Sequence, residues 1–314
     1  MNKLRMNRDV VFTEKPPFPH NMLVELTNIC NHKCIFCAHD KMHRRQGMCN
    51  KEIMINIIKQ AYLAGTREIG FYLTGEPFLN KELEYYVEQC KIMGFEYIYI
   101  TTNGALVTKD RIKRLSELGL SSIKFSINAA TRETYKLIHG KDDFDKVINN
   151  LNDILDLKKE EKLNLPIFAS FVTVSLNQSE VGLFKQKMGK YFDYINIVDA
   201  YNQGGNMPEL NNGLIVENSD GGIKAPCSML FNRLHITYEG YLNACCVDFD
   251  NMMAVADLRI TPIEEAWNGE KMVKLRREHL SGSIGRNMCY NCINNVDCKE
   301  ISPISLELYQ SNNY

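Results

Sequence analysis

Between residue 21 and about residue 200, a short β-rich run and an amphipathic helical pattern alternate six times. The candidate strands are Met22–Leu26, Ile69–Leu73, Tyr97–Thr101, Ile123–Ile127, Ile167–Thr173 and Tyr194–Val198. Between the strands, apolar residues recur at helical spacing, as in Ile53, Ile57, Ile58 and Ala61. Asn50 is placed to cap that helix, Gly65 to close it, and Gly94 and Gly119 to close the next two. Repeated strand–helix units predict an α/β domain whose parallel sheet curls into a barrel or part of one.

The unusual polar groups all fall just after these strands. Cys30, Cys34 and Cys37 follow the first, and Thr74-Gly75-Glu76-Pro77 follows the second. Thr102-Asn103-Gly104 follows the third, while Ser126 and Asn128 end the fourth. Barrel active sites gather on the face formed by the carboxyl ends of the strands. The spacing C-x3-C-x2-C adds chemistry to that placement. Four thiolates saturate a cubane iron–sulfur cluster; three hold it and leave one iron open to a small molecule, as catalytic metal sites do. Zinc is the other ion that such cysteines bind.

These residues together resemble the radical S-adenosylmethionine (AdoMet) enzymes. The resemblance implies a 4Fe–4S cluster on Cys30, Cys34 and Cys37, with AdoMet chelated to its open iron. It implies that Phe36 packs near the adenine and that Gly75, Glu76 and Pro77 meet the AdoMet amine. Asn103, Ser126 and Asn128 match positions that touch its carboxylate and ribose. The expected fold is a partial (β/α)6 TIM-like barrel. Many relatives carry Arg before the glycine of His139-Gly140, so no role is carried over to His139. His32, inside the cysteine loop, reads as a solvated loop residue.

Residues 201–222 are Asn/Gly-rich and read as a long connection. A second module follows, with a hairpin of Arg233–Thr237 and Tyr241–Cys245 about Glu239-Gly240, then a helix from Ile263 to about Leu280. Its cysteines resemble the SPASM/Twitch extension that binds auxiliary clusters in a subset of the family. Four ligands suffice for one cluster, and the resemblance implies a single auxiliary 4Fe–4S cluster in a small cysteine-rich hairpin-plus-helix domain. The expected ligands are Cys227, Cys245, Cys289 and Cys292, with Cys298 as an alternative to either of the last two. A structural zinc site is the competing use of such spacing. The expected boundaries are a tail at 1–20, the barrel at 21–205, a linker at 206–225, the cluster domain at 226–302 and a tail at 303–314.

Cys246 and Asp248 follow a candidate ligand and are the candidate catalytic pair. An acid there takes the proton when an alcohol radical is oxidised, and a thiol there returns a hydrogen atom. Their plainer readings are a small buried hydrophobe and a loop acid. Cys49 and Cys90 lie on or beside helical patterns and read as core. Asp199-Ala200-Tyr201-Asn202-Gln203, after the sixth strand, is where substrate contacts are expected.

Lys and Arg number 37 against 38 Asp and Glu, which does not favour a nucleic-acid partner. No apolar run is long enough for a membrane span. Residues 1–20, broken by Pro16, Pro17 and Pro19, carry no apolar signal region. Eleven cysteines without such a region point to a reducing cytoplasm and to metal. The resemblance implies flavodoxin or ferredoxin as electron donor, and net dehydrogenation of a small polar molecule such as a sugar or aminocyclitol. Peptide modification and redox-neutral epimerisation are the alternatives. The short stretch before the first strand is too small for an independent leader-recognition domain, which disfavours a peptide substrate.

Overall fold

The computed structural model describes residues 10–214 and 224–311. All six candidate strands form, as β1 (Asn21–Val24), β2 (Glu68–Phe71), β3 (Tyr97–Thr102), β4 (Ser122–Ser126), β5 (Ile167–Thr173) and β6 (Tyr194–Asp199). They pair in parallel and in sequence order. Helices fill the crossovers: α1 (Lys51–Leu63), α2 (Leu83–Met93), α3 (Lys109–Glu117), α4 (Arg132–His139), α5 (Phe144–Glu160) and α6 (Val181–Met188). Asn50 caps α1 by accepting from the Ile53 N–H at 3.1 Å. Gly94 ends α2 in the left-handed region, at φ 100°.

Strand alternation divides the sheet into two faces. On β3, Ile98 and Ile100 are fully buried in the core shared with the helices, whereas Tyr97, Tyr99 and Thr101 face the lumen. That inward face is unusually polar for a small barrel, whose interior is ordinarily filled by branched apolar side chains.

Three features depart from the sequence reading. The hairpin does not form a sheet of its own. Its first strand, β7 (Arg233–Ile236), pairs in parallel with β1 from Asn21↔Arg233 to Val24↔Ile236. β8 (Tyr241–Asn243) continues outward, followed by an unforeseen β9 (Ala254–Asp257), so one sheet runs β6-β5-β4-β3-β2-β1-β7-β8-β9. The expected helix after Ile263 is two: Ile263–Trp267, then Glu270–Ser281 after an extended Gly269. The break frees the Trp267 carbonyl to accept from the buried Arg276 at 2.9 Å, with the guanidinium 3.8 Å from the indole centroid. The expected connection also begins with ordered turns at Gln203–Gly205 and Leu210–Leu214. Its residues 215–223, like 1–9 and 312–314 of the two tails, lie outside the described residues.

A buried charge knot ties the two parts together beneath the cysteine loop. The Arg44 guanidinium donates to both Glu25 carboxylate oxygens at 2.8 and 2.9 Å, to Glu239 at 3.2 Å and to Asn251 at 3.1 Å. Glu25 also accepts from the Tyr238 N–H at 3.0 Å. The end of β1 and the β7–β8 turn are thereby held in one network.

Candidate active site

The loop that carries Cys30, Cys34 and Cys37 leaves β1 and is stitched to the end of α4. Lys33 N–H donates to the His139 carbonyl at 3.0 Å, and Ile35 N–H to that of Ile138 at 2.9 Å. Burial pushes the Cys30 thiol up to about 12 and Cys37 to about 11, and holds Cys34 well above the usual thiol range. Cys30 also feels the charge of Cys37, and Cys34 that of both Cys30 and Cys37. Three buried, mutually repelling sulfurs can ionise together only against a cation, and the set therefore suits a metal cluster. His32 is not a solvated loop residue. It is 2% exposed, its Nε2 lies 3.1 Å from Asp143, and its ring sits 5.3 Å from that of His139.

The segment Gly75–Pro77 crosses directly over the start of the cysteine loop. A Cβ on Gly75 would stand 2.2 Å from the Thr27 carbonyl oxygen and 2.7 Å from that of Ile29, so only glycine fits. Glu76 accepts from Thr102 Oγ1 at 2.7 Å, from the Asn103 N–H at 2.8 Å and from the Phe78 N–H at 3.1 Å. Burial raises its carboxyl to about 7, partly offset by these donors. Pro77 opens a tight turn, Pro77–Leu79. Asn103 donates to Asn31 in the cysteine loop at 2.8 Å. Asn128 is fully buried, and its side chain accepts from the Val172 N–H at 2.7 Å and reaches His139 at 3.3 Å. Ser126 is half-buried beside it. Phe36 packs in an apolar cluster with Ile138, Ala200, Met207 and Phe249, a wall that excludes water from one side of the cysteine loop.

The second cysteine set closes around one small cavity of about 40 Å³, lined by Cys227, Cys245, Cys246, Cys289 and Cys292 with Tyr201. Cys298 is not part of that lining. Its main chain is instead engaged by Asn291, which accepts from the Cys298 N–H at 3.1 Å and donates to its carbonyl at 3.0 Å. Burial raises Cys227 to about 11 and keeps Cys245 and Cys289 well above the usual thiol range. This donor set suits a thiolate-ligated cluster on Cys227, Cys245, Cys289 and Cys292 for the same reason as the first.

The two catalytic candidates part company. Asp248 is buried and its carboxylate accepts from Asn243 at 2.7 Å and from the Met253 and Asp250 N–H groups at 2.7 and 3.1 Å. It staples the turn after β8. Cys246 lines the cavity and lies within electrostatic reach of Arg233, Tyr72 and Tyr201. The stretch after β6 bridges the two cysteine sets. Gln203 donates to the Phe36 carbonyl at 2.7 Å and accepts from the Ala38 N–H at 3.2 Å. Its neighbour Asn202 donates to the carbonyls of Asn291 and Val296 at 3.2 and 3.0 Å. His139, Lys124 and Arg233 escape a motif-based reading. Inward alternation along β4 and β7 is the signal that marks the last two.

The Radical SAM superfamily model matches residues 24–169, and the SPASM iron–sulfur cluster-binding domain matches residues 227–293. The chain belongs to the radical SAM superfamily and carries a SPASM-type domain. Its cofactors are accordingly a 4Fe–4S cluster with AdoMet and auxiliary iron–sulfur chemistry. It is similar to a probable GTP 3′,8-cyclase of Saccharolobus solfataricus, 27% identical over 276 residues covering 76% of this chain and 86% of that protein. An uncharacterized protein of Methanocaldococcus jannaschii is 32% identical over 206 residues, 65% of this chain and 66% of the other. Among solved structures, BtrN in complex with AdoMet and 2-DOIA superimposes with a TM-score of 0.57 at 19% identity, covering 90% of this chain and 96% of that one. Native anSMEcpe with bound AdoMet gives 0.63 at 18% identity, over 93% and 94%. Streptococcus suis SuiB bound to precursor peptide SuiA gives 0.62 at 15%, over 95% and 75%. These likenesses establish the fold. No helix among the described residues is long and apolar enough to cross a membrane.

Proposed function

We propose that the protein is a radical SAM oxidoreductase that dehydrogenates a small polar molecule such as a sugar or aminocyclitol. The observation that carries this reading is the position of Cys246. It lines the cavity of the second cysteine set and also lies within electrostatic reach of Tyr72 and Arg233 on the inward face of the barrel. A lumen that backs directly onto a second cluster site suits a reaction that must dispose of a second electron.

With its cofactors bound, the first site supplies a 5′-deoxyadenosyl radical and the second an electron acceptor. For an alcohol, the substrate would yield one hydrogen atom to the 5′-deoxyadenosyl radical, giving 5′-deoxyadenosine, one proton to solvent and one electron to the second site, and become a carbonyl compound. The priming electron comes from a flavodoxin or ferredoxin. The chain's own work is placement and exclusion of water. Phe36 and its apolar wall shield the cysteine loop, Asn103 ties that loop to the end of β3 through Asn31, and Gln203 holds it through the main chain of Phe36 and Ala38. Asp248, fully committed to the turn after β8, is not disposed to take the proton.

A second reading draws on the same cysteine. A Cys246 thiol facing the lumen can return a hydrogen atom to a substrate radical, which would make the reaction redox-neutral. Turnover in D2O separates the two. Dehydrogenation gives a product lighter by two hydrogens with no solvent deuterium on carbon. Epimerisation gives a product of substrate composition carrying one deuterium, and that result would overturn the oxidoreductase reading. A peptide substrate is the remaining alternative, tested by offering carbon-deuterated peptides and polyols side by side and scoring deuterium transfer into 5′-deoxyadenosine.

A further inference from the structure

Two cations face the inward side of the barrel without an ion pair among the described residues, Arg233 buried and Lys124 half-buried. Lys124 is on β4 and Arg233 on β7. Arg233 is 5% exposed, and its Nε has no hydrogen-bond partner. Neither side chain makes a hydrogen bond or an ion pair among the described residues. The Lys124 ammonium lies 5.4 Å from the centroid of the Tyr72 ring, its one close electrostatic contact of favourable sign.

The floor beneath them is already satisfied. Tyr99 donates to Asn21 at 3.0 Å, Asn21 donates to Glu68 at 3.0 Å, and Tyr97 pairs with Ser122 at 2.6 Å. Glu68 is the carboxylate that Arg233 feels, and it is engaged with Asn21. The Tyr99 and Tyr72 rings stand 6.0 Å apart. Tyr99 lies across Gly70, where a Cβ would stand 2.5 Å from its ring. Glycine on β2 thus makes room for the ring in the lumen.

Two like charges inside one polar chamber repel each other, and each has lost part of its water. Burial and the Arg233 charge together press the Lys124 ammonium down to about 8. Removing one such group from a well-paired knot destabilises a fold, whereas replacing an unpaired buried charge by an apolar side chain relieves it. An arrangement this costly persists where function requires it.

We propose that Lys124 and Arg233 form an anion pocket that holds a carboxylate or phosphate group of the substrate, with Tyr72 and Tyr99 as its walls. The pocket rests on the lumen serving as the substrate chamber, as in the function proposed above. It narrows the substrate class to an anionic small molecule. The anion would anchor at the base of the chamber and leave the rest of the molecule pointing toward the mouth, where Cys30, Cys34 and Cys37 stand.

The test uses the anaerobically reconstituted protein, with inorganic phosphate and malonate as probes. Titration calorimetry and thermal unfolding are followed for the parent, Lys124→Met, Arg233→Met and Lys124→Arg, with iron content as a check on assembly. One of the two probes is expected to bind the parent at a stoichiometry near one and to raise its Tm. Lys124→Met is expected to melt higher than the parent without anion, and both Met variants to bind the probe at least tenfold more weakly. Lys124→Arg is expected to keep binding. Preference for phosphate would identify a phosphoester substrate, and preference for malonate a carboxylate. A parent that binds neither, a Lys124→Met variant that melts lower without anion, or Met variants that bind like the parent, would overturn the pocket. Product mass and deuterium content do not enter this assay, so the pocket and the dehydrogenase reading can fail separately.

Discussion

The Nδ1 atom of His139 lies 3.5 Å from the sulfur of Cys34, and the far side of the ring determines which way that contact runs. The Asn128 N–H points at Nε2 from 3.3 Å and can only donate. Burial lowers the His139 pKa to about 3, so the ring is neutral. Nε2 therefore accepts, Nδ1 carries the proton, and His139 donates to the sulfur of Cys34. Hydrogen bonds to a ligating sulfur stabilise the more negative, reduced form of a cluster. His139→Leu should make the midpoint potential of the first cluster more negative while leaving iron content unchanged. A redox titration followed by electron paramagnetic resonance measures it. An unchanged potential would reduce His139 to a packing residue against Tyr135, whose ring it stacks on at 4.1 Å.

Gly75 should be the least replaceable glycine of the site. The atoms a Cβ would strike are backbone carbonyl oxygens of Thr27 and Ile29, which cannot rotate away. Gly75→Ala is expected to cost about 1–3 kcal/mol, the usual range for overpacking, and to abolish AdoMet binding through displacement of the cysteine loop. Urea unfolding and equilibrium dialysis with AdoMet read the two effects. Gly70→Ala gives the contrast, because it meets the far end of the Tyr99 side chain. It should cost less and leave AdoMet binding intact.

The strands and cysteine motifs were legible because their signals are local. Alternation writes β3 into the sequence as Tyr-Ile-Tyr-Ile, and C-x3-C-x2-C brings three sulfurs together within one loop. What the sequence hides depends on partners far along the chain. Nothing in Arg233–Ile236 announces pairing with Asn21–Val24, because strand partners are chosen by the three-dimensional closure of the sheet. Asp248 looks like a loop acid available for chemistry until Asn243 and Met253 are seen to occupy it. His139 lies 105 residues from the cysteine it touches. The apolar periodicity of 263–280 continues across Asn268-Gly269, so only the Gly at an otherwise helical position hints at the break.

Arg44 is the residue on which the joint between barrel and second module depends. It is 2% exposed, and its partners Glu25 and Glu239 come from opposite sides of that joint. Removing one member of a buried ion network leaves uncompensated charge and typically costs about 3–5 kcal/mol. Arg44→Met is expected to reach that range, because it strands two carboxylates at once. Glu239→Gln should cost less, since Glu25 still answers the guanidinium. Urea denaturation of the two variants under anaerobic conditions gives the comparison, and equal losses would show that the knot is not shared between the two carboxylates.

Lys124 makes the stability of the protein depend on pH in an unusual window. Facing it are the Arg233 guanidinium from β7 and the Tyr72 and Tyr99 hydroxyl-bearing rings that follow β2 and lie on β3. Its pKa is about 8 in the fold against 10.5 ordinarily. The unfolded chain therefore binds more protons than the folded one between those values, and stability rises with pH across that interval. Below about 8 the full penalty is present; above 10.5 it is gone. The difference corresponds to about 3 kcal/mol at 1.36 kcal/mol per pKa unit. Other groups titrate in the same range, so the measurement is the difference between parent and Lys124→Met in urea midpoints from pH 7 to 11. Lys124→Met should be the more stable at pH 7, and its advantage should shrink toward zero as the lysine loses its proton. Anion binding should weaken over the lower part of the same interval, since deprotonation removes one of the two charges that hold it. A stability gap that stays constant with pH would mean that Lys124 reaches water and pays no burial penalty.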